Sequence, residues 1–297
     1  MEKCMKEKKI FALGFFDGVH LGHQALLAAC CQLAKEQNCM SAAVTFSLPP
    51  SAVLQNTEPN MITSFTEREM LLRQYGMEQV RLFPADEQTF SMEWQDFLMK
   101  LLEEGAAGFV CGEDYRFGKG GAGTPEKLAA FAAKQNLPCV IVAERMMDEE
   151  KISSTRIRKL LEAGDVENAN RLLGHPHILM GKVEHGQHLG RTIGIPTANL
   201  SLQPGLLTPA LGVYATFVEV DGQRYMAVTN IGTRPTVNGK GITVEPWILD
   251  FDGDLYGKTL TLYFYQFLRP EQKFDSLEAL KAQIRQDAAK VYALFQS

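Results

Sequence analysis

Five short apolar runs divide the first half of the chain, and stretches with helical spacing of apolar residues separate them. The runs are residues 10–15, 42–46, 80–83, 108–111 and 139–143. The intervening stretches include residues 26–37 and 94–102, where apolar residues recur every three or four positions. Buried strands that alternate with helices are typical of a parallel sheet with helices on its faces. The pattern therefore predicts a doubly wound α/β domain.

The second half has a different pattern. After about residue 174, short alternating strands separated by glycine and proline are predicted, at residues 178–184, 212–220, 225–231, 243–251 and 259–267. Their close spacing indicates a small antiparallel barrel or sandwich. The pattern of residues 156–173 predicts one connecting helix, and the pattern of residues 276–295 predicts an amphipathic C-terminal helix. A length of 297 residues is typical of two domains, which we place at residues 1–176 and 177–297.

Charge and composition exclude several classes of protein. A formal net charge of -5 is not typical of a nucleic-acid binder, so any polyanionic ligand must be bound by local groups. No stretch has the length of apolar sequence that crosses a bilayer, and the first apolar run stops at Asp17 without a cleavage site. The six cysteines show no zinc spacing and no C-x-x-C, which indicates buried or free thiols in a reducing compartment. We expect a cytoplasmic protein that binds neither nucleic acid nor membrane, and the sequence does not determine its self-association.

The segment "GFFDGVHLGH", residues 14–23, lies where the first strand passes into a helix. In an open α/β sheet this turn is a ligand site, and the free N–H groups of a helix start suit a phosphate. Gly14 and Gly22 let the backbone approach a ligand, and the i, i+3 spacing places His20 and His23 on one helix face. Both histidines then have the position to stabilise negative charge on phosphorus. Taken alone, such a pair is more often ordinary polarity at a helix start.

A second polar segment, "KISSTRIRKLL", begins at residue 151. Ser153, Ser154 and Thr155 precede a predicted helix, whose N-cap needs only one hydroxyl. Three hydroxyls together with Arg156 and Arg158 make an anion-binding loop that suits a triphosphate better than a cap alone.

Gly118, Gly120 and Gly123 spell G-x-G-x-x-G, the pattern of a dinucleotide site. These glycines do not directly follow their strand, because "EDYRF" intervenes, and they belong to the fourth strand-to-helix connection rather than the first. We therefore reject a nicotinamide cofactor.

In the second half, "GKVEHGQHLGRTIGIPTANL", residues 181–200, ends with Thr197 and Asn199 two positions apart in an extended segment. Their side chains then point the same way, and two neutral oxygens suit a magnesium ion that keeps its other ligands from water and phosphate. A proline turn with a capping asparagine is the commoner explanation. Glu245 lies on a strand with alternating apolar neighbours, where a glutamate is usually just solvated.

Together, "GFFDGVHLGH" and "ISSTRIR" resemble the paired H-x-G-H and I-S-S-T-x-x-R motifs of the nucleotidyltransferase superfamily. They are most similar to the adenylyltransferase half of prokaryotic bifunctional riboflavin kinase/FAD synthetases. The resemblance implies that His20 and His23 stabilise the transition state. It also implies that the first motif holds the α- and β-phosphates of ATP through Gly14, Phe16, Asp17 and Gly22. The leaving pyrophosphate would be held by Ser154, Thr155 and Arg158.

Two further segments extend the comparison to this family. "GEDYRFG" is similar to its G-x-D/N-F-x-F-G loop, which implies that Asp114 and Phe117 lie near nucleotide or flavin. The family's F-x-P-H-P element is replaced by "FSLPP" at residues 46–50, which lacks the histidine.

The second half follows the riboflavin kinase domain in order, through "GKV", "GIPTANL", "GVYA", "NIGTRPT", "VEPWILDF" and "DLYG". This resemblance implies a six-stranded Greek-key barrel with a C-terminal helix. It assigns Glu245 as general base, Thr197 and Asn199 as Mg²⁺ ligands, and Gly181 and Lys182 as nucleotide-binding residues. The implied substrates are riboflavin, FMN and ATP, and the implied product is FAD. Two alternatives stay open. One is a riboflavin kinase with weakened adenylyltransferase activity. The other is a non-catalytic nucleotide or flavin sensor, and the intact motifs argue against this second alternative.

Overall fold

The computed structural model describes residues 7–184, 194–236 and 239–296. Contacts within the chain divide it into two units, Met1–Ser154 and Thr155–Ser297. Helices α7 and α8, introduced below, thus group with the second unit except for Ser154. The domain boundary at 176/177 stays a prediction.

The first unit is built on a parallel sheet whose central strand is apolar on both faces. Strand β1 buries Ile10, Phe11 and Leu13 almost completely, as expected for a strand covered by helices on both sides. The strand order is β3-β2-β1-β4-β5, and every pairing is parallel. The strands are β1 (Lys9–Leu13), β2 (Met40–Phe46), β3 (Gln79–Phe83), β4 (Ala106–Gly112) and β5 (Cys139–Val142).

Helices connect these strands. They are α1 (Leu21–Glu36), α2 (Pro50–Leu54), α3 (Phe65–Gln74), α4 (Glu87–Phe90), α5 (Trp94–Glu103) and α6 (Pro125–Lys134). Short 3-10 turns occur at Asp17–Val19 and Lys119–Gly121, and a small hairpin, β6 (Met146–Met147) and β7 (Glu150–Lys151), follows the sheet. The predicted doubly wound α/β domain is confirmed.

The order of the strands locates a ligand site. Strand β1 pairs with β2 on one side and with β4 on the other, so the order of the sheet reverses beside β1. The connections that follow β1 and β4 diverge at this reversal and leave a crevice at the carboxyl ends of the strands, where open α/β sheets bind their ligands. The first histidine motif follows β1 directly.

The second unit contains a closed barrel of six antiparallel strands, in the order β10-β11-β12-β9-β8-β13. Strands β10, β11 and β12 are consecutive neighbours, and β13 returns to lie beside β10, which is a Greek-key connection. The strands are β8 (His177–Glu184), β9 (Asn199–Leu202), β10 (Gly212–Val220), β11 (Gln223–Thr236), β12 (Gly239–Ile248) and β13 (Thr259–Arg269). The predicted barrel is confirmed.

A C-terminal helix, α9 (Leu277–Gln296), packs against the barrel, as predicted. Ala288 and Val291 form an apolar cluster with Val213 and Val228 of the barrel wall. Asp287, next to these residues, is fully buried and accepts a hydrogen bond from Arg269 Nε at 2.8 Å.

The single connecting helix predicted over residues 156–173 is wrong. The segment forms two helices, α7 (Ser154–Glu162) and α8 (Val166–Leu173). Gly164 adopts φ +81° between them, and the Asp165 side chain caps α8 by accepting from the amide of Asn168 at 3.2 Å. A left-handed glycine followed by a capping aspartate ends one helix and starts the next.

Within the described part of the chain, no helix combines the length and the apolar character needed to cross a membrane. The five cysteines described there are all free thiols. Burial is the main cause that raises the pKa of Cys30 and of Cys111, each to about 12. Both thiols are therefore protonated at neutral pH.

Candidate active sites

Asp17 fixes the conformation of the first histidine motif. Its carboxylate is 1% exposed and accepts hydrogen bonds from the amides of Ile62 and Thr63, at 3.1 and 3.0 Å, and from the Thr63 hydroxyl at 3.2 Å. The Thr63 hydroxyl oxygen in turn accepts from the amide of Gly18 at 3.0 Å. These contacts tie the loop after β1 to the segment before α3, and they give Asp17 a role in holding the loop.

Small residues let two rings pack inside this loop. Phe16 is buried and has φ 60°. A Cβ at Gly14 would lie 2.9 Å from the Phe16 ring, and one at Gly22 would lie 3.1 Å from Cε1 of His20. Both glycines are thus needed for the rings to pack as they do, whatever they contribute to ligand binding.

The two histidines of the motif stack on each other. Their ring centroids are 3.6 Å apart and their planes differ by 14°. His20 is the N-cap of α1, and its Nδ1 accepts from the amide of His23 at 3.3 Å. A neutral His20 must then carry its proton on Nε2, which leaves an N–H group that can be donated to an anion.

His23 is held in its neutral form. Its ring also contacts Phe16 edge-on, with centroids 5.4 Å apart, and its buried Nδ1 has no partner among the described residues. Burial, then the neighbouring His20 and then the positive charge of Arg68 lower the pKa of His23 well below its ordinary value. The His23 imidazole is therefore neutral at neutral pH.

The second polar motif meets the first through one hydroxyl. Ser154 begins α7 and donates from Oγ to the backbone carbonyl of Asp17 at 2.9 Å, so the structure brings two motifs together that lie 137 residues apart. Thr155 and Arg158 follow Ser154 on the same helix, and they belong to the second unit. Their proposed contacts with pyrophosphate stay predictions.

The glycine-rich loop after β4 is organised by packing. Phe117 is 5% exposed, belongs to the core of the first unit and stacks on Tyr115 with centroids 5.5 Å apart. A Cβ at Gly118 would lie 2.6 Å from Trp94 Cα, and one at Gly123 would lie 2.7 Å from the Phe117 ring. Close packing therefore accounts for these two glycines of the G-x-G-x-x-G pattern, and Phe117 acts in the core.

Asp114, in the same loop, is exposed and forms an ion pair with Lys151 at 2.5 Å. Lys151 also contacts the carboxylate of Glu144. Because Lys151 directly precedes the I-S-S-T segment, this network connects the loop after β4 to the second motif. The contact of Asp114 with nucleotide or flavin stays a prediction.

The segment "FSLPP" at residues 46–50 joins β2 to α2. Pro49 is the N-cap of α2 and Pro50 is its first residue, a position that suits the fixed φ of proline. The Ser47 amide donates to the Phe83 carbonyl at 3.2 Å, and the Ser47 hydroxyl accepts from the Ala85 amide at 3.0 Å. The loop is thus bonded to the neighbouring strand without the family's histidine.

A cavity of about 500 Å³ in the second unit is lined by two of the residues proposed for the kinase. Glu245 and Thr197 both line it, together with Asn230, which is paired with Glu245 across β11 and β12. Its apolar walls include Ile195, Val213, Val228, Trp247, Phe274 and Leu280. The cavity combines an apolar surface suited to a planar ring with polar groups, among them the carboxylates of Glu245, Glu271 and Asp287.

Thr197 also lines a second cavity of about 240 Å³, whose wall includes Pro246, Phe251 and Tyr256. The threonine is exposed and precedes β9, so its side chain lies at the border of the two cavities.

Three other predicted residues of the second unit lie on strands. Asn199 begins β9 opposite Glu184, while Gly181 and Lys182 lie on β8. None of the three is among the described residues that line the two cavities. Gly181 permits close strand packing, since a Cβ there would lie 2.9 Å from the Leu200 Cβ. Residues 185–193 of the same motif fall outside the described ranges.

Three polar residues on the wall of the large cavity, Asn230, Arg269 and Asp287, were not predicted from the sequence. Asn230 belongs to the quoted "NIGTRPT" segment, so the motif itself was a signal. Arg269 and Asp287 form a buried ion pair on the wall of the large cavity. No local pattern marks such a pair, because its members lie on β13 and α9.

The first unit offers a stacked histidine pair, with His23 neutral, after the central strand of a parallel sheet, and the second offers carboxylates in a barrel cavity with apolar walls. Within the described ranges, no group of three or more His, Cys, Asp or Glu residues is arranged to hold a metal ion. Together these features define a class, the two-domain transferases that act on nucleotide phosphates.

Comparison with known proteins identifies the family. The FAD synthetase family model matches residues 2–156, and the riboflavin kinase family model matches residues 173–295. Bifunctional riboflavin kinase/FMN adenylyltransferases match 97% of this chain with 37% identity in Listeria monocytogenes, 36% in Bacillus subtilis and 33% in Escherichia coli K12, covering 92%, 93% and 93% of those proteins. A solved structure described as a macrolide-efflux protein of Streptococcus pneumoniae has a TM-score of 0.85 and 35% identity, covering 95% of this chain and 93% of that one.

The chain belongs to the family of bifunctional riboflavin kinase/FMN adenylyltransferases, and both domains of that family are present. The resemblance drawn from the motifs is confirmed.

Proposed function

We propose that this chain makes FAD in two steps, each in its own unit. The second unit transfers the γ-phosphoryl group of ATP to riboflavin and forms FMN. The first unit then joins FMN to the adenylyl group of another ATP and releases pyrophosphate. The observation that carries the proposal is that each unit has its own polar site, with the stacked histidine pair in one and Glu245 in a cavity with apolar walls in the other.

The two reactions require different chemistry. Riboflavin attacks phosphorus through an alcohol, which is not ionised at neutral pH and benefits from a general base. Glu245 lies in the large cavity with Thr197 and Asn230, and it is the carboxylate proposed to accept the proton of the hydroxyl. The apolar wall, including Trp247, would hold the flavin ring and exclude water.

Mg²⁺ is proposed to enter with ATP. Thr197, at the border of the two cavities, presents the kind of neutral oxygen that Mg²⁺ accepts when most of its ligands are water and phosphate. Asn199 carries a neutral side-chain oxygen of the same kind, although it lines neither cavity, and Thr197 and Asn199 are the residues proposed to hold the ion. The ion would neutralise charge on the transferring phosphates.

Adenylyl transfer needs no general base. The phosphate of FMN is already anionic near pH 7, and its oxygen forms a bond to the α-phosphorus of ATP while the bond to pyrophosphate breaks. Positioning and charge stabilisation are sufficient, and His20, His23 and Ser154 are the residues proposed to supply them beside the switch point. Thr155 and Arg158 are proposed to hold pyrophosphate.

The proposed substrates are small molecules, and we place the reaction in the cytoplasm, where flavin coenzymes and ATP are used. We propose no nucleic-acid or membrane partner, in keeping with the net charge of -5.

A direct assay tests the proposal. The purified protein is incubated with riboflavin, or with FMN alone, in the presence of Mg-ATP, and the flavins are separated by chromatography. We expect riboflavin to give FMN and then FAD, and FMN to give FAD directly. Formation of FMN without FAD would support the kinase with a weakened adenylyltransferase, which the match to both family models does not favour. Binding of nucleotide without turnover would support the sensor.

A further inference from the structure

Arg68, on α3, is a buried cation beside the proposed adenylyltransferase site. Its side chain has no solvent exposure. Nη2 donates to the backbone carbonyl of Phe46 at 2.6 Å, and the guanidinium lies 4.3 Å above the Phe15 ring. Phe15 follows β1 and Phe46 ends β2, so one side chain connects the carboxyl ends of two neighbouring strands.

The guanidinium has more donors than the fold uses. Its Nε and Nη1 are buried and have no hydrogen-bond partner among the described residues. Two buried carboxylates lie close enough for their charges to act on Arg68, but their hydrogen bonds go to other donors: Asp17 accepts from Ile62 and Thr63, and Glu67 accepts from the Ser64 amide. A buried donor without a partner costs folding free energy, and such exceptions tend to occur at functional sites.

The charge of Arg68 reaches the histidine pair. Burial lowers the pKa of Arg68 to about 10, against the opposing effects of Asp17 and Glu67, so the group stays cationic at neutral pH. The charged or titratable groups that act on His23 are His20, from the start of α1, and Arg68, from α3. A fixed positive charge in low-dielectric surroundings has a strong effect on charge that develops nearby.

We propose that Arg68 is a positioning residue for adenylyl transfer, which joins the ends of β1 and β2 and keeps a fixed positive charge near the histidine pair. The proposal rests on the adenylyltransferase activity proposed above. As the bond to pyrophosphate breaks, negative charge moves toward the leaving group, and a preorganised cation lowers the free energy of that arrangement. Arg68 acts through the site around it rather than by touching the substrate.

Three variants separate charge from packing. Arg68→Met keeps an unbranched apolar side chain that packs on Phe15 but removes the charge. Arg68→Lys keeps the charge but loses the planar guanidinium group. Arg73→Met is the matched control, because Arg73 lies on the same helix, is exposed and pairs with Glu69. Riboflavin phosphorylation by each preparation reports on the second unit, and the intrinsic tryptophan fluorescence, to which Trp94 of the first unit contributes, reports whether the whole protein is folded.

With FMN and Mg-ATP as substrates, we expect Arg68→Met to lower kcat for FAD formation about 10- to 100-fold with little change in either KM. Arg68→Lys should retain most of the activity, and Arg73→Met should match the unmodified protein. Riboflavin phosphorylation should stay the same in all four proteins.

A readout independent of turnover is the pKa of His23, measured by NMR with ¹³C-labelled histidine and assigned with His23→Ala. Removal of the positive charge should raise this pKa in Arg68→Met, while Arg68→Lys should leave it low. A purely structural role would not produce this difference between two folded variants.

The inference is overturned if folded Arg68→Met forms FAD at the unmodified rate, or if both variants lose activity equally while the pKa of His23 is the same in both as in the unmodified protein. Should Arg68→Met fail to fold, Arg68→Lys decides: retained FAD formation with a low His23 pKa supports the inference, and lost FAD formation overturns it. An unmodified protein that makes FMN but no FAD would instead overturn the proposed adenylyltransferase function itself.

Discussion

At the scale of single residues, the backbone determines which atom of a histidine is available for chemistry. His20 caps α1 through Nδ1, which leaves Nε2 as its N–H donor, and His23 stacks on it at 3.6 Å. Two imidazolium rings at this distance would repel each other, so the stack favours neutral rings. The helix cap and the chemistry proposed for the site therefore depend on the same side chain.

Replacing Glu245 tests whether this residue serves the kinase reaction and not the adenylyltransferase reaction. Glu245→Gln keeps the size of the side chain but removes the proton acceptor, so FMN formation should fall by about 10²- to 10⁴-fold. Conversion of supplied FMN to FAD should be unchanged, because that reaction needs no base. Both rates are measured by flavin chromatography, and an intact kinase rate would show that the assignment of the base is wrong.

Replacing His23 should have the opposite effect. His23→Ala removes one group of the stack, and we expect FAD formation from FMN to fall by about 10²- to 10³-fold while FMN formation continues. The kinase rate of the same preparation is the control for folding. Equal loss of both reactions would contradict two separate sites.

A buried histidine in the barrel makes stability depend on pH. His177 is 1% exposed and neither ring nitrogen has a partner among the described residues, and burial, with a smaller effect of His175, lowers its pKa to about 3. The unfolded chain, with a pKa near 6.5, binds the proton more readily, so stability is lost as pH falls below about 6.5. Between pH 7.5 and pH 5 the loss from this group should be about 2 kcal/mol.

His177→Leu should remove this part of the acid sensitivity. Urea unfolding at both pH values, followed through Trp247 in a Trp94→Phe background, reports on the second unit because the sequence contains only these two tryptophans. The same loss of stability with and without His177 would contradict the assignment.

At the scale of elements, the turn between α7 and α8 depends on a glycine. Gly164 has φ +81°, and a Cβ there would lie 3.3 Å from Ala210 Cβ. The left-handed backbone at Gly164 should lower the free energy of unfolding of Gly164→Ala by about 1–2 kcal/mol. The close contact with Ala210 should add a further loss.

The matched control is Gly222→Ala in the hairpin between β10 and β11. Gly222 has φ +82°, and nothing lies within 4 Å of its Cβ position. This variant should lose only the part of the free energy of unfolding that comes from placing alanine in a left-handed backbone conformation. If thermal or urea unfolding shows equal losses for the two variants, the contact with Ala210 has no energetic consequence.

At the scale of the whole molecule, we propose that the two reactions occur at separate sites. A mixture of Glu245→Gln and His23→Ala should convert riboflavin to FAD, since FMN made by one variant is a substrate for the other. Free FMN should accumulate before FAD appears, and a time course by chromatography checks this order. If neither variant alone nor the mixture makes FAD, while each keeps its expected single activity, FMN does not pass between molecules.

Much of the architecture was predictable, because periodicity is local. The strands around residues 10–15, 212–220 and 259–267, the parallel sheet and the barrel were all predicted from apolar spacing and family motifs, and observed boundaries differ by a few residues. The helix break at Gly164 was missed, since a single glycine inside an apolar repeat does not reveal a positive φ.

What the sequence by itself determined was the family and the two folds, because motifs and hydrophobic periodicity depend on residues that are close together in the sequence. Only the tertiary structure decided what individual residues do locally. Asp17 bonds with residues 62 and 63, Glu245 lies opposite Asn230, and Arg68 lies between Phe15 and Phe46. Each of these contacts joins segments distant in sequence, and burial of the whole core, rather than any local pattern, sets which groups meet.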